Sequence, residues 1–191
     1  MPKTIKINAR DLDQGTIKAI QDEFGNAELE IRVHDVREAS ARLTEDDCWE
    51  VIDLLDWSFE DQSDEQVVEP LVSGLSALPI AQIYQFADWL SEKLWLLDTA
   101  AHATVFLEED GFLSVDDFLY ARCAVVANGK AFYEEVLQHP DKIPTDLTFE
   151  SLLYLPQKAY HRKTGEEMVY VPLFNYETYG NKEGWNEVGG Q

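Results

Sequence analysis

The segment Ser114–Gly129, SVDDFLYARCAVVANG, constrains the fold more than any other stretch of the chain. Ser114 is followed three residues later by Asp117 and then by an apolar run, the capping-box pattern of a helix start. Asn128-Gly129 is a matching stop signal. Between Phe118 and Ala127 every residue is apolar or small except Tyr120 and Arg122. A helix apolar on nearly all sides has no solvent face and belongs inside a helical body. Arg122 is then a cation on the most buried element, and a buried guanidinium must find carboxylates.

The first 33 residues have a different character. Residues 3–8 alternate polar and apolar side chains with β-branched residues, which predicts a strand. Asp13 can cap a helix running to about Phe24, with Ile17, Ile20 and Phe24 on one face and Gly25-Asn26 as its stop. Residues 27–33 alternate again. Residues 1–33 thus read as a β-α-β unit. Two strands and a helix make no independent core. The strands need a partner: a later strand, a second copy of the chain in a homodimer, or another protein. Packing on the rest of the same chain is the simpler alternative.

Residues 34–43 read as a linker or a frayed helix, and from Thr44 the pattern is helical. Thr44 with Asp47 is a second capping box, opening a helix that carries Trp49, Val51, Ile52, Leu54, Leu55, Trp57 and Phe59. Ser63 and Gln66 open another, with Pro70 inside it as a kink or a displaced start. Leu78-Pro79 begins a fourth, and helical pattern continues to Leu107 after a break near Ser91–Lys93. After Gly129 one helix spans Lys130 to about His139, and a last one runs from Thr148 or Glu150 to Lys163, stopped by Gly165. Residues 168–174 predict a short strand, and 175–187, rich in Tyr, Trp, Asn and Gly, a loop whose aromatic rings must sit against something. The predicted fold is mainly α: a helical bundle of about six or seven helices over residues 44–165, preceded by the β-α-β unit 1–33 and followed by a tail, 166–191, packed on the domain.

Composition narrows the function classes. The 191 residues carry 37 acids against 15 Lys and Arg, a net charge of −22. Such a surface repels nucleic-acid phosphates and anionic membranes. It suits a basic protein partner, or simply keeps the protein soluble. No apolar run approaches a membrane-spanning length of about 20 residues, and the N-terminus has no signal core. Cys48 and Cys123 lack metal or redox spacing and read as buried free thiols in a reducing cytoplasm.

Three polar interruptions of apolar helices are the candidate binding residues. Arg122 is the first. Asp98 and His102 stand four residues apart within Leu94–Leu107 and so share a helix face. Asp53 lies midway between Trp49 and Trp57, each four residues away. A carboxylate between two indoles, with a guanidinium to hold an anionic or planar ligand, describes a pocket lining. The plainer alternative pairs Arg122 with Asp53, or with Asp98, as an interior ion pair that sets helix register. Asp98 could orient His102 as a general base, or His102 could be a satisfied core residue. Asp116-Asp117 lie in a first helical turn, where acids are stabilising. There is no phosphate loop, dinucleotide fingerprint, HExxH or GxSxG motif, and no metal or cofactor is assigned.

Trp49-Glu-Val-Ile-Asp53, Leu97-Asp-Thr-Ala-Ala101, Ser114-Val-Asp-Asp-Phe-Leu-Tyr-Ala-Arg122 and Gly129-Lys-Ala-Phe132 resemble DUF4240, a bacterial family of unknown function. Pro140-Asp141 and Ala159-Tyr160 with Thr164-Gly165 also fit, so the resemblance covers about residues 45–165. The chain departs from the family pattern at Cys123 and its neighbours, and at Leu97-Asp98, where Leu-Trp is usual. Asp98 is therefore not carried over as a family residue. The resemblance implies an all-α core and supplies no activity.

These features support three readings. The first is an acidic, cytoplasmic, non-enzymatic protein that binds a basic protein, as an immunity or antitoxin-like inhibitor does. The second is a regulatory domain holding a small polar or anionic ligand through Arg122 and the Trp49/Trp57 face. The third and weakest is an enzyme using His102 and Asp98.

Overall fold

The computed structural model describes residues 14–25, 42–58, 63–107 and 112–186. Among these residues the chain forms nine α-helices, three short 3-10 turns and no strand. The expected strands at 3–8 and 27–33 lie outside the described residues. Of the β-α-β unit only the helix, α1 (Gln14–Phe24), is described, and it buries none of its side chains. The β-α-β unit is therefore without support.

The body is helical, as the capping signals demand. α2 (Glu45–Ile52) is closed by the Thr44 capping box: the Asp47 amide donates to Thr44 Oγ1 at 3.1 Å and the Thr44 amide to Asp47 Oδ2 at 2.7 Å. α3 (Asp64–Ala77) starts where the Ser63 amide donates to Gln66 Oε1 and runs on through Pro70. α4 (Ile80–Leu96) follows Pro79 and has no break at Ser91–Lys93. The break comes at Leu97–Thr99, where Thr99 caps the single-turn α5 (Ala100–Ala103) and a 3-10 turn, Thr104–Phe106, follows. α6 (Val115–Ala127) is the opening helix of the sequence argument, with the Asp117 amide donating to Ser114 Oγ. α7 (Lys130–Gln138) leaves it through Gly129, whose φ of 89° and ψ of 173° are a backbone state that only glycine adopts without strain. Pro140–Lys142 and Glu150–Tyr154 are 3-10 turns, and the last expected helix is shortened to α8 (Leu155–Thr164), ended by left-handed Gly165.

α6 is buried along nearly its whole length and packs on α4, α7 and the turn Glu150–Tyr154. α8 lies mainly against α3 and α4. The core threads through every helix from α2 to α8 except the polar outer faces, with Phe86, Phe118, Leu71, Leu94 and Leu152 fully buried.

The tail corrects a further expectation. Residues 168–174 form no strand. From Glu167 to Gly180 the segment is irregular, with a bend at Leu173–Phe174 and a turn at Thr178–Tyr179, and alternate residues turn inward, among them Met168, Tyr170, Phe174 and Tyr176. The partner is a helical surface rather than a neighbouring strand, so no ladder forms. A short α9 (Lys182–Asn186) ends the described chain and packs on α5.

Candidate functional site

The Arg122 side chain sits at the centre of the molecule, fully buried. Its Nη1 donates to the Leu94 and Tyr176 carbonyls, both at 3.0 Å, and its Nη2 to Thr178 Oγ1 at 3.0 Å. The guanidinium lies over the Phe118 ring, 4.7 Å from its centroid. Its Nε is buried and has no hydrogen-bond partner among the described residues. Burial lowers the Arg122 pKa and Asp98 opposes that shift. The cation therefore joins three pieces of chain: the end of α4, α6 itself and the tail.

Asp98 is the counter-ion, with Oδ1 3.9 Å from Arg122 Nη1. Asp53, the other counter-ion the sequence offers, is exposed: it is the C-cap of α2. The reason is the helix break at Leu97, which turns Asp98 inward. There Asp98 accepts the Tyr179 amide (3.2 Å), the Asn181 amide (2.9 Å) and the Trp185 indole (2.9 Å). Every one of these donors comes from the tail. Three N–H donors and a nearby cation are what a buried carboxylate requires. Asp88 does the same further along α4, taking the Tyr170 hydroxyl (2.7 Å) and the Leu173 amide (2.9 Å). Thr178 completes the join by donating to the Val115 carbonyl at 2.8 Å.

His102 does not pair with Asp98, because the helix break puts them on different elements. The Thr99 hydroxyl sits 2.7 Å from His102 Nδ1, and Nε2 is 3.2 Å from the Val136 carbonyl. A carbonyl only accepts, so Nε2 carries the proton and Nδ1 accepts from Thr99. Burial lowers the His102 pKa, favouring this neutral form.

Trp49, Asp53 and Trp57 do not form one face, because α2 ends at Ile52. Trp49 is buried in an aromatic group, edge-on to Trp89 at 4.8 Å and tilted against Tyr133 at 5.3 Å. That group surrounds Lys93, whose ammonium lies 5.9 Å from the Trp89 centroid and 5.7 Å from the Tyr133 centroid. Its charge is met by Glu45 at 2.7 Å. Sequence reasoning missed Lys93, although a lysine four residues after Trp89 on an apolar helix was its visible sign. Trp57 is elsewhere, 54% exposed in the loop after α2, with its ring 5.1 Å from that of Phe149.

Both cysteines are buried and unpaired, and burial pushes each thiol up to about 12, so neither is nucleophilic at neutral pH. A cavity of about 20 Å³ lies between α4, α8 and the tail, lined by Leu94, Met168, Tyr170 and Tyr176 among others. It has room for a water molecule and not for a metabolite. Among the described residues no group of His, Cys, Asp or Glu could hold a metal ion, and no helix is long and apolar enough to cross a membrane.

Comparison with curated proteins finds no match, and neither does comparison with solved structures. Residues 43–162 match a family model described as "Protein of unknown function (DUF4240)", a span from the α2 capping box almost to the end of α8 and well over half of the chain, so the protein belongs to the DUF4240 family.

Proposed function

We propose that this is an acidic, cytoplasmic, non-enzymatic interaction protein that binds a basic protein partner, in the manner of an immunity or antitoxin-like inhibitor. One observation carries the reading: the distribution of charge. The chain has a net charge of −22, and among the described residues Asp98 is the one buried carboxylate. The remaining described acids are exposed or half-buried, and together they set up a field that steers a cationic partner. The interior polar groups point the same way. Asp98, His102, Arg122 and Lys93 are each engaged by other parts of the chain. Two buried thiols suit a reducing compartment.

The test is affinity capture from the native host at low and at raised ionic strength. A partner of basic isoelectric point that binds at low salt, and whose association slows as salt rises, is the expected result. A partner that is neutral or acidic, or no specific partner at low salt, would overturn it.

The second reading is a regulatory domain that holds a small polar or anionic ligand through Arg122, without the Trp49/Trp57 face, since those two rings lie apart. It draws on the buried Arg122 Nε, which has no hydrogen-bond partner among the described residues. It requires the tail to vacate Nη1 and Nη2 first, since Tyr176 and Thr178 occupy them. Homodimerisation through residues 1–33 is compatible with either reading.

A further inference from the structure

The charge distribution supports a basic partner without saying where it binds. One group of exposed aromatic side chains is linked through Phe149 and Glu150. Trp57 is 54% exposed, yet its ring is held by Phe149, which is buried. Phe149 is tied to α6 by its amide, which donates to the Tyr120 carbonyl at 3.1 Å. The next residue, Glu150, accepts the hydroxyl of Tyr154 at 2.7 Å, and Tyr154 is 47% exposed. The Tyr120 phenol faces the same carboxylate. Desolvation raises its pKa, with Glu150 and Asp116 adding to the shift through their charge. The loop after α2, the first half of α6 and the turn Glu150–Tyr154 thus bring an indole, two phenols and two carboxylates onto one face.

We propose that this face, Trp57, Tyr120, Glu150 and Tyr154 with Asp116 at its edge, is where the basic partner docks, receiving an arginine- or lysine-bearing segment of that protein. The inference rests on the reading of the chain as a binder of a basic protein. The chemistry is specific to a cation. Indole and phenol faces attract ammonium and guanidinium groups, and a carboxylate takes the guanidinium fork in two parallel hydrogen bonds. Pre-positioned Trp and Tyr side chains are also the residues that carry most of the energy in protein interfaces. A second copy of this chain is a poor occupant. Two molecules at −22 would bring Glu150 and Asp116 against like charges.

The experiment titrates the full-length protein into a fluorescein-labelled oligo-arginine peptide at low ionic strength and follows anisotropy. Trp57→Ala is expected to weaken binding about tenfold or more, as an aromatic anchor does. Glu150→Gln, a surface change that keeps the Tyr154 hydrogen bond, is expected to weaken it about fivefold, and Trp57→Phe less than Trp57→Ala. Glu134→Gln, removing an exposed carboxylate on α7, serves as the charge control and should change binding by less than about twofold. If the peptide binds but Trp57→Ala and Glu150→Gln bind like the parent, or lose no more than Glu134→Gln, this surface is wrong and the basic-partner reading stands. If the parent protein fails to bind the peptide at all, that reading falls and the surface with it. Dimers in sedimentation that Trp57→Ala abolishes would replace the basic partner by a second copy and overturn the proposal.

Discussion

Replacing Arg122 with methionine tests the central join of the structure. Methionine fills a comparable volume and can lie against Phe118, but it supplies no donors. Three hydrogen bonds of 3.0 Å vanish together. The Leu94 carbonyl is left buried and unpaired on that side, a loss of about 1–3 kcal/mol. The Tyr176 carbonyl and Thr178 hydroxyl can recover water only if the tail lifts. Asp98 keeps its three tail donors and loses its cation at 3.9 Å. Removing one partner of a buried ion pair destabilises by about 3–5 kcal/mol, so Arg122→Met should lower the unfolding free energy by about 4 kcal/mol. For a chain of this size that is a fall in Tm of about 8–16 °C. Arg122→Lys keeps the charge but cannot reach three divergent acceptors, and should fall between the two. Urea unfolding followed by circular dichroism gives the stability, and limited proteolysis of residues 167–180 gives the attachment of the tail. A methionine variant within about 1 kcal/mol of the parent, with the tail equally resistant to protease, would refute the idea that Arg122 and Asp98 fasten the tail to the helices.

Four more outcomes follow from the structure. The His102 pKa is lowered below its ordinary 6.5 by burial, so the unfolded chain takes up the proton first. Stability present above pH 6.5 should decline as pH falls through the folded value, and His102→Gln should lose that slope in urea titrations between pH 7.5 and about 5. Glu45 is hydrogen-bonded to Lys93, which lowers its pKa from 4.5. Glu45→Ala leaves the Lys93 ammonium among aromatic rings without its carboxylate and should cost about 1.5–3 kcal/mol, whereas Lys93→Met should cost less; thermal melts of the two variants compare them directly. Gly129→Ala should cost about 1–3 kcal/mol from backbone strain alone, because its Cβ would meet Asp53 Oδ1 at an ordinary 3.7 Å. Gly165 is in the commoner left-handed state, and Gly165→Ala should cost about 1–2 kcal/mol.

The helices were legible because their signals are local. Thr44 with Asp47, Ser114 with Asp117, and the glycines at 129 and 165 each act within a few residues; Thr44 and Asp47 close a full capping box, Ser114 accepts the Asp117 amide without the reciprocal bond, and the glycines stop their helices. The failures have a common origin as well. The helix break was expected at Ser91–Lys93 and occurs at Leu97–Thr99, a shift of one to two turns. That shift separated Asp98 from His102 and turned Asp98 toward Arg122. Likewise α2 stops at Ile52 rather than continuing, which sent Trp49 inward and left Trp57 on the surface. Propensity says little about where an apolar helix ends, because burial decides it. The tail was the least legible part. Residues 168–174 predict a short strand, but what lies beside them is a helical surface that no local pattern reports, so no ladder forms.

By itself, the sequence determined that α6 is central, that it is capped at Ser114, that it carries one buried cation, and that the chain resembles DUF4240. These are consequences of composition and of contacts within a helical turn. Only the tertiary structure decided what that cation does. Arg122 lies 28 residues from the Leu94 carbonyl, 54 from Tyr176 and 56 from Thr178. Partners that distant are brought together by packing of the whole core, so the join between α4, α6 and the tail exists only once the chain has folded around it.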